Sequence, residues 1–292
     1  MKKHLIFMDI DGTLVDSDLK ISEKNKSIIN QVLTMGHIVY VATGRKHYAA
    51  KEIAQLLNPA VQVVASNGCI YEYKNRLFCQ KINPQAAAQL IDLTYNSQAA
   101  LFFFGERKTF YTNQLPEYFK KEDQARLSSG QDSQLFGIHS KTELIKIADE
   151  LVNAIVIAEN DYSILEPLKE QLATIEQLTL SSSHENNIEV TPSGISKASA
   201  IQDLQKRYQI PKERTISFGD GKNDLEMFAA SGISVAMANA SEEVKKQATH
   251  QTLTNKQSGI GYFLSTYFNL KENNYEGTDH VELHQPRTTY FA

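Results

Sequence analysis

With 292 residues, 41% of them hydrophobic, the chain can bury one large core or two smaller ones, which excludes a small disulfide-stapled scaffold and a disordered chain. Thirty basic against 34 acidic residues leave a net charge of −4 without a long run of one sign, so the broad basic footprint of a nucleic-acid-binding surface is absent. Cys69 and Cys79 are the only cysteines, which fits a reducing compartment rather than a disulfide framework.

The chain begins Met1-Lys2-Lys3-His4 and then has four apolar residues, Leu5 to Met8. That run is too short for a signal sequence or a membrane span, so the cytoplasm is the expected compartment and no membrane partner is expected. It reads as a short strand buried on both faces, as in the middle of a parallel sheet. Asp9-Ile10-Asp11-Gly12-Thr13 follows: two acids at the strand's carboxyl end, a glycine that permits a sharp turn, and a hydroxyl. In an open parallel sheet this rim is where ligands bind. Taken alone, the same residues also read as an Asp-Gly turn beside a solvated acid.

A helix follows from Ser22, its N-cap, with Ile28, Ile29, Val32 and Leu33 on one face and Gly36 at its end. The strand His37 to Ala42 completes a right-handed crossover and brings Thr43-Gly44-Arg45 out beside Asp9. Arg45, Lys46 and His47 open the next helix, Lys46 and His47 as a solvated first turn. Another crossover brings the strand Val61 to Ala65 to Ser66-Asn67-Gly68.

From Ile82 to about Ser183 strict alternation gives way to paired strands beside helices, the pattern of an inserted α+β unit. Helices are expected at Pro84–Asn96, near Pro116–Arg126, at Lys141–Val152 and Tyr162–Thr174. Strands are expected at Ala99–Gly105, Lys108–Thr112, Ala154–Ala158 and Leu178–Ser182. Phe102, Phe103, Phe104, Phe110 and Tyr111 read as packing of that sheet on its helices, because no basic stripe accompanies them as a base-stacking platform would require.

The alternating pattern resumes around Ile188. Ser196 caps a helix through Tyr208, which places Lys197 in a first turn where the helix dipole disfavours a cation, so an anionic partner is expected nearby. The strand Arg214 to Phe218 ends in Gly219-Asp220-Gly221-Lys222-Asn223-Asp224. Asp224 stands where a dinucleotide fingerprint needs glycine; instead, Asp220 and Asp224 at a strand-to-helix turn can face one hard cation, with Asn223 leaning to the same pocket. A last strand, Ile233 to Met237, leads to Ala238-Asn239-Ala240 and a helix from Ser241. From Lys271 the chain is polar and aperiodic, as in a flexible tail.

The stretches around Asp9, Thr43, Lys197 and Asp220, in this order, resemble the four motifs of the haloacid dehalogenase (HAD) phosphohydrolase superfamily. Thr43-Gly44-Arg45, Ser66-Asn67-Gly68 and the Asn239-Ala240 step resemble its Cof-like branch. The resemblance covers residues 1 to 268 and implies an α/β fold, a HAD-like Rossmannoid parallel sheet with helices on both faces plus an inserted α+β cap. The expected limits are 1–81 and 184–270 for the core, 82–183 for the cap and 271–292 for the tail.

The activity so implied is a phosphatase acting on a small-molecule phosphate ester, such as a sugar phosphate, in a monomer or homodimer. Asp9 is then the nucleophile and Asp11 the general acid and base, while Thr43 bonds the phosphoryl group and Lys197 neutralises it. The backbone at Ile10 and Gly12, with Gly44, Arg45 and Asn223, holds the substrate's phosphoryl end and the cleft mouth. Mg²⁺ is held by Asp9, the Asp11 carbonyl, Asp220 and Asp224. A phosphomutase or phosphotransferase would use the same intermediate, and a non-catalytic phosphate-binding regulatory module would retain only the fold.

Overall fold

The computed structural model describes residues 2–16, 18–97, 99–106, 108–112, 117–128, 133, 135–158, 161–182 and 185–270. The expected tail from Lys271 and the expected boundary at 183/184 lie outside the described residues. In chain order the elements are β1 (Leu5–Met8), α1 (Glu23–Thr34), β2 (Ile38–Ala42), α2 (His47–Leu57), β3 (Gln62–Ala65), β4 (Ile70–Tyr73), β5 (Arg76–Cys79), α3 (Pro84–Thr94), β6 (Ala100–Phe104), β7 (Thr109–Thr112), α4 (Glu117–Ser128) and β8 (Leu135–Gly137). They continue with α5 (Lys141–Lys146), β9 (Asn153–Ile157), α6 (Leu165–Leu172), β10 (Leu178–Ser181), β11 (Asn187–Pro192), α7 (Lys197–Tyr208), β12 (Thr215–Gly219), α8 (Leu225–Ala229), β13 (Ile233–Ala236), α9 (Glu242–Gln247), β14 (His250–Gln251) and α10 (Gly259–Tyr267). Among the described residues no helix is long and apolar enough to cross a membrane. The chain divides into two compact units: residues up to Ala42, Glu52–Gln62 and those from Ile201 onward form one, and Thr43–Lys51 with Val63–Ala200 the other.

In the first unit the strands run in the order β14-β13-β12-β1-β2, all parallel. Leu5, Ile6, Phe7 and Met8 have no solvent exposure, as a strand paired on both edges and covered on both faces requires. Met8 stands level with Phe218 of β12 and Val41 of β2, so the carboxyl ends of the three strands form one rim. The Ser22 hydroxyl accepts from the Asn25 N–H and starts α1. α1 lies against α10, where the buried Asn25 Oδ1 accepts from the Gly261 N–H at 2.8 Å.

In the second unit β3, β4 and β5 form an antiparallel run, and a separate six-stranded sheet has the order β10-β11-β9-β6-β7-β8. Leu101, Phe103, Phe110, Ala154, Val156, Ile188 and Val190 turn one face of that sheet to Leu90, Ile91, Leu165, Leu168 and Leu172 of α3 and α6. The aromatic run splits by strand alternation: Phe103 and Phe110 join that core, whereas Phe102 and Phe104 join Ala100 and Ile157 in a separate cluster.

Several elements differ from the sequence expectation. β11, read as the return of the alternating core, pairs antiparallel with β9 and β10 and so belongs to the six-stranded sheet through Pro192. The helix expected at Lys141–Val152 ends at Lys146, because Leu151 O accepts from Ile82 and Val152 N–H donates to Phe104 O, which pulls the chain into extended pairing. The β4–β5 hairpin and the edge strands β8 and β14 are additional to the elements the sequence pattern predicts.

Candidate active site

The carboxyl-end rim of the first unit gathers its acids by strand register. The Asp9 N–H donates to Phe218 O at 3.0 Å, which extends the β1–β12 ladder by one residue and brings the nearly buried Asp9 beside the turn that carries Asp220 and Asp224. One carboxylate oxygen from each of these three residues lies within 4.8 Å of the others. Carboxylates this close repel one another when ionised, and a bound cation would relieve that repulsion. The donors are all oxygen and suit a hard divalent ion such as Mg²⁺.

The cluster is fixed by its surroundings. The Thr13 hydroxyl donates to Asp220 Oδ1 at 2.8 Å, and Asn239 Nδ2 donates to Gly12 O at 2.8 Å and Asp220 Oδ2 at 3.4 Å. Asp224 Oδ2 accepts from the Asp220 and Gly221 N–H groups, each at 3.1 Å, and so shapes the turn it belongs to. The buried Ile10 offers its carbonyl to the N–H groups of Leu14 and Val15 at 3.0 and 3.1 Å, which curls the chain after β1. Asp11 and Asn223 are exposed. Asn239, to which sequence reasoning gave no role, buttresses both halves of this rim; its signal was a carboxamide just beyond the end of β13.

In the second unit Thr43, Gly44 and Arg45 meet Ser66-Asn67-Gly68 and the start of α7. The buried Thr43 donates its N–H to Val64 O at 2.9 Å, and its hydroxyl accepts from the Arg45 N–H at 3.1 Å. Lys197 is only 2% exposed, and an ammonium so buried demands anionic or carbonyl acceptors around it. The first turn of α2 is not simply solvated as expected. His47 Nε2 and Lys51 Nζ each lie 2.9 Å from the Glu72 carboxylate, and Lys46 Nζ sits 5.1 Å from the centre of the Phe104 ring. Burial alone would raise the Glu72 carboxyl, but the hydrogen bonds from His47 and Lys51 outweigh it and hold it below its ordinary value.

The chain is similar to known proteins along most of its length. A family model described as haloacid dehalogenase-like hydrolase matches residues 6–264. The chain is 28% identical over 287 residues to the 5-amino-6-(5-phospho-D-ribitylamino)uracil phosphatase YitU of Bacillus subtilis, covering 92% of this chain and 99% of that protein. It is 30% identical over 280 residues to the phosphatase YwpJ of the same organism, covering 89% and 98%. A solved haloacid dehalogenase-like hydrolase from B. subtilis superposes with a TM-score of 0.77 at 29% identity, over 90% of this chain and 99% of the other. The class so defined is that of the phosphoric monoester hydrolases. Within it, the chain belongs to the haloacid dehalogenase superfamily, among the Cof-like phosphatases.

Proposed function

We propose that this phosphatase hydrolyses a small phosphorylated metabolite, a sugar phosphate or a compound like it, through an aspartyl-phosphate on Asp9. The observation that carries the reading is the cluster of Asp9, Asp220 and Asp224 at the end of β1 and β12, an oxygen-only set of donors to which the proposed nucleophile itself belongs. The name of YitU, which specifies a phosphorylated ribityl compound, supports a polyol or sugar phosphate as the substrate class.

In this reading Asp9, the Asp11 carbonyl, Asp220 and Asp224 would hold Mg²⁺. When bound, the ion supplies charge neutralisation that lets a carboxylate approach a phosphate dianion. Asp9 attacks phosphorus and the ester oxygen leaves, taking a proton from Asp11 to depart as the alcohol. Asp11, now a carboxylate, takes a proton from the water that attacks the aspartyl-phosphate, so that inorganic phosphate is released and Asp9 is regenerated. Lys197 and the Thr43 hydroxyl offset the phosphoryl charge, and the N–H groups of Ile10 to Gly12 donate to its oxygens, aided by Asn223. Gly44 and Arg45 contact the substrate's phosphoryl end, and the inserted α+β unit selects the alcohol.

The experiment is an assay of the full chain on p-nitrophenyl phosphate and then on a panel of sugar phosphates, with Mg²⁺ and with excess EDTA. Phosphate release that requires the metal is expected. Full turnover in EDTA removes the metal, and isomerised sugar phosphate without released phosphate makes the enzyme a mutase. No turnover of any panel member overturns the assignment of a small phosphorylated metabolite.

A further inference from the structure

The turn Ser66-Asn67-Gly68 runs through three successive residues at positive φ, of which Ser66 is the one whose type does not favour it. Ser66 and Asn67 have φ of 49° and 51°, and Gly68 follows at 96°, three left-handed residues in succession. That backbone is costly for a serine where it costs asparagine and glycine little, so the turn depends on surroundings that hold it.

Those surroundings are the residues already assigned to phosphoryl transfer. Asn67 N–H donates to Thr43 O at 3.1 Å, and Ser66 N–H donates to Arg45 O at 2.9 Å, so the turn grips the Thr43–Arg45 loop from beneath. Gly44 has no room for a larger residue without pressing on the Asn67 carboxamide, 3.2 Å from where its β-carbon would stand. On the other side, Gly68 lies so close to the Ser196 carbonyl that a β-carbon would overlap it, and Ser196 precedes Lys197. One side chain ties this wedge to the six-stranded sheet: Asn67 Nδ2 donates to Glu189 Oε2, on β11, at 2.8 Å.

We propose that Asn67 and Glu189 are positioning residues of the phosphatase: their hydrogen bond holds the left-handed turn that fixes the Thr43 loop and the Lys197 turn in register. The inference rests on the function proposed above. Neither residue is asked to touch substrate. The tie acts through Thr43 and Lys197, so its loss should lower the rate of phosphoryl transfer rather than substrate affinity.

The test is steady-state kinetics on p-nitrophenyl phosphate with saturating Mg²⁺, using Asn67→Ala, Glu189→Ala, the double variant and Glu189→Gln, each checked by thermal melting. Asn67→Ala and Glu189→Ala should each lose 10-fold or more in kcat with KM within about threefold, at losses that overlap in the double variant because they remove one bond. Glu189→Gln, which keeps an acceptor oxygen, should restore most of kcat. Independent, multiplicative losses would overturn the proposal, as would wild-type kcat in Asn67→Ala or a Glu189→Gln as impaired as the alanine variant. A loss that tracks lowered melting temperature and that Asn67→Gly, which accepts the left-handed backbone but lacks the carboxamide, fully recovers would also overturn it, by assigning the effect to the backbone alone. An unmodified enzyme inactive on every ester tested would instead strike the proposed function, a result distinct from any of these.

Discussion

Gly12 faces Asp220 so closely that a β-carbon at position 12 would overlap the Asp220 carboxylate, and its backbone has a φ of +75° that side chains rarely accept. The Asp-x-Asp-Gly turn is thus moulded to the second acid motif, more than 200 residues away in sequence. Gly12→Ala should lower stability by about 2 kcal/mol through strain and displaced packing. By moving Asp220 it should also raise the Mg²⁺ concentration for half-maximal activity by about 10-fold or more, as loss of a ligand's support does. Denaturant midpoints and metal titrations of activity measure the two effects, and a variant with unchanged metal dependence would uncouple Gly12 from the acid cluster.

Asp220 and Asp224 should not be equivalent. Asp224 spends Oδ2 on two backbone N–H groups of its own turn, whereas Asp220 accepts from the side chains of Thr13 and Asn239. Asp220→Asn should therefore weaken Mg²⁺ binding more than Asp224→Asn, while Asp224→Ala, which strands two N–H groups, should cost more stability, about 2 kcal/mol. Calorimetric Mg²⁺ titration of both asparagine variants decides the ranking; equal affinities would remove it.

A pH dependence of stability is built into the far end of β1 and β2. The buried His37 accepts the His4 N–H at Nδ1, 3.1 Å away, and stacks on Phe268 at a centroid distance of 4.4 Å. Protonating Nδ1 would abolish that bond. Burial, with the neighbouring His4 and the N-terminal charge, pushes the imidazole down to about 4 from the ordinary 6.5. Above pH 6.5 both folded and unfolded chains carry it neutral and the contribution is complete. Between 6.5 and about 4 only the unfolded chain takes up the proton, so stability should fall with decreasing pH by up to about 3 kcal/mol. Urea unfolding from pH 7.5 to 4.5 should show this slope, and His37→Asn, which cannot titrate, should flatten it. An equal slope in the variant would place the effect elsewhere.

What was legible in the sequence was local. A continuous apolar run ending in Asp9 and Asp11 specifies a buried parallel strand with acids at its end, and the register of β1 with β12 then brings Asp220 and Asp224 to Asp9. The β4–β5 hairpin was hidden because its turn residues, Lys74 and Asn75, adopt φ of 49° and 62° without the glycine that usually marks such turns. The place of β11 is not written in its own residues, because its partners, β9 and β10, are chosen by tertiary pairing that no short window reveals. For the same reason the sequence exposes the amides of Asn67 and Asn239 but not what they hold: the partners are Glu189, 122 residues away, and Gly12, 227 residues away.

Asp11 gives the sharpest test of the chemistry, because the two half-reactions should answer differently to its loss. Asp11 is exposed at the turn after β1, whereas Asp9 is nearly buried, an arrangement suited to a proton carrier beside a fixed nucleophile. With an alkyl phosphate the departing alkoxide needs a proton, so Asp11→Asn should lose on the order of 10²-fold or more in the first step. A p-nitrophenolate leaves with little help. On that ester the variant should still phosphorylate Asp9, while hydrolysis of the acyl phosphate, which needs a base to activate water, becomes slow. Stopped-flow absorbance should then show a burst of nitrophenol approaching one equivalent per enzyme, and acid quenching should trap an alkali-labile phosphoprotein that Asp9→Asn never forms. Linear turnover at the unmodified enzyme's rate, with no burst and no trapped phosphate, would show that Asp11 carries no proton in either step.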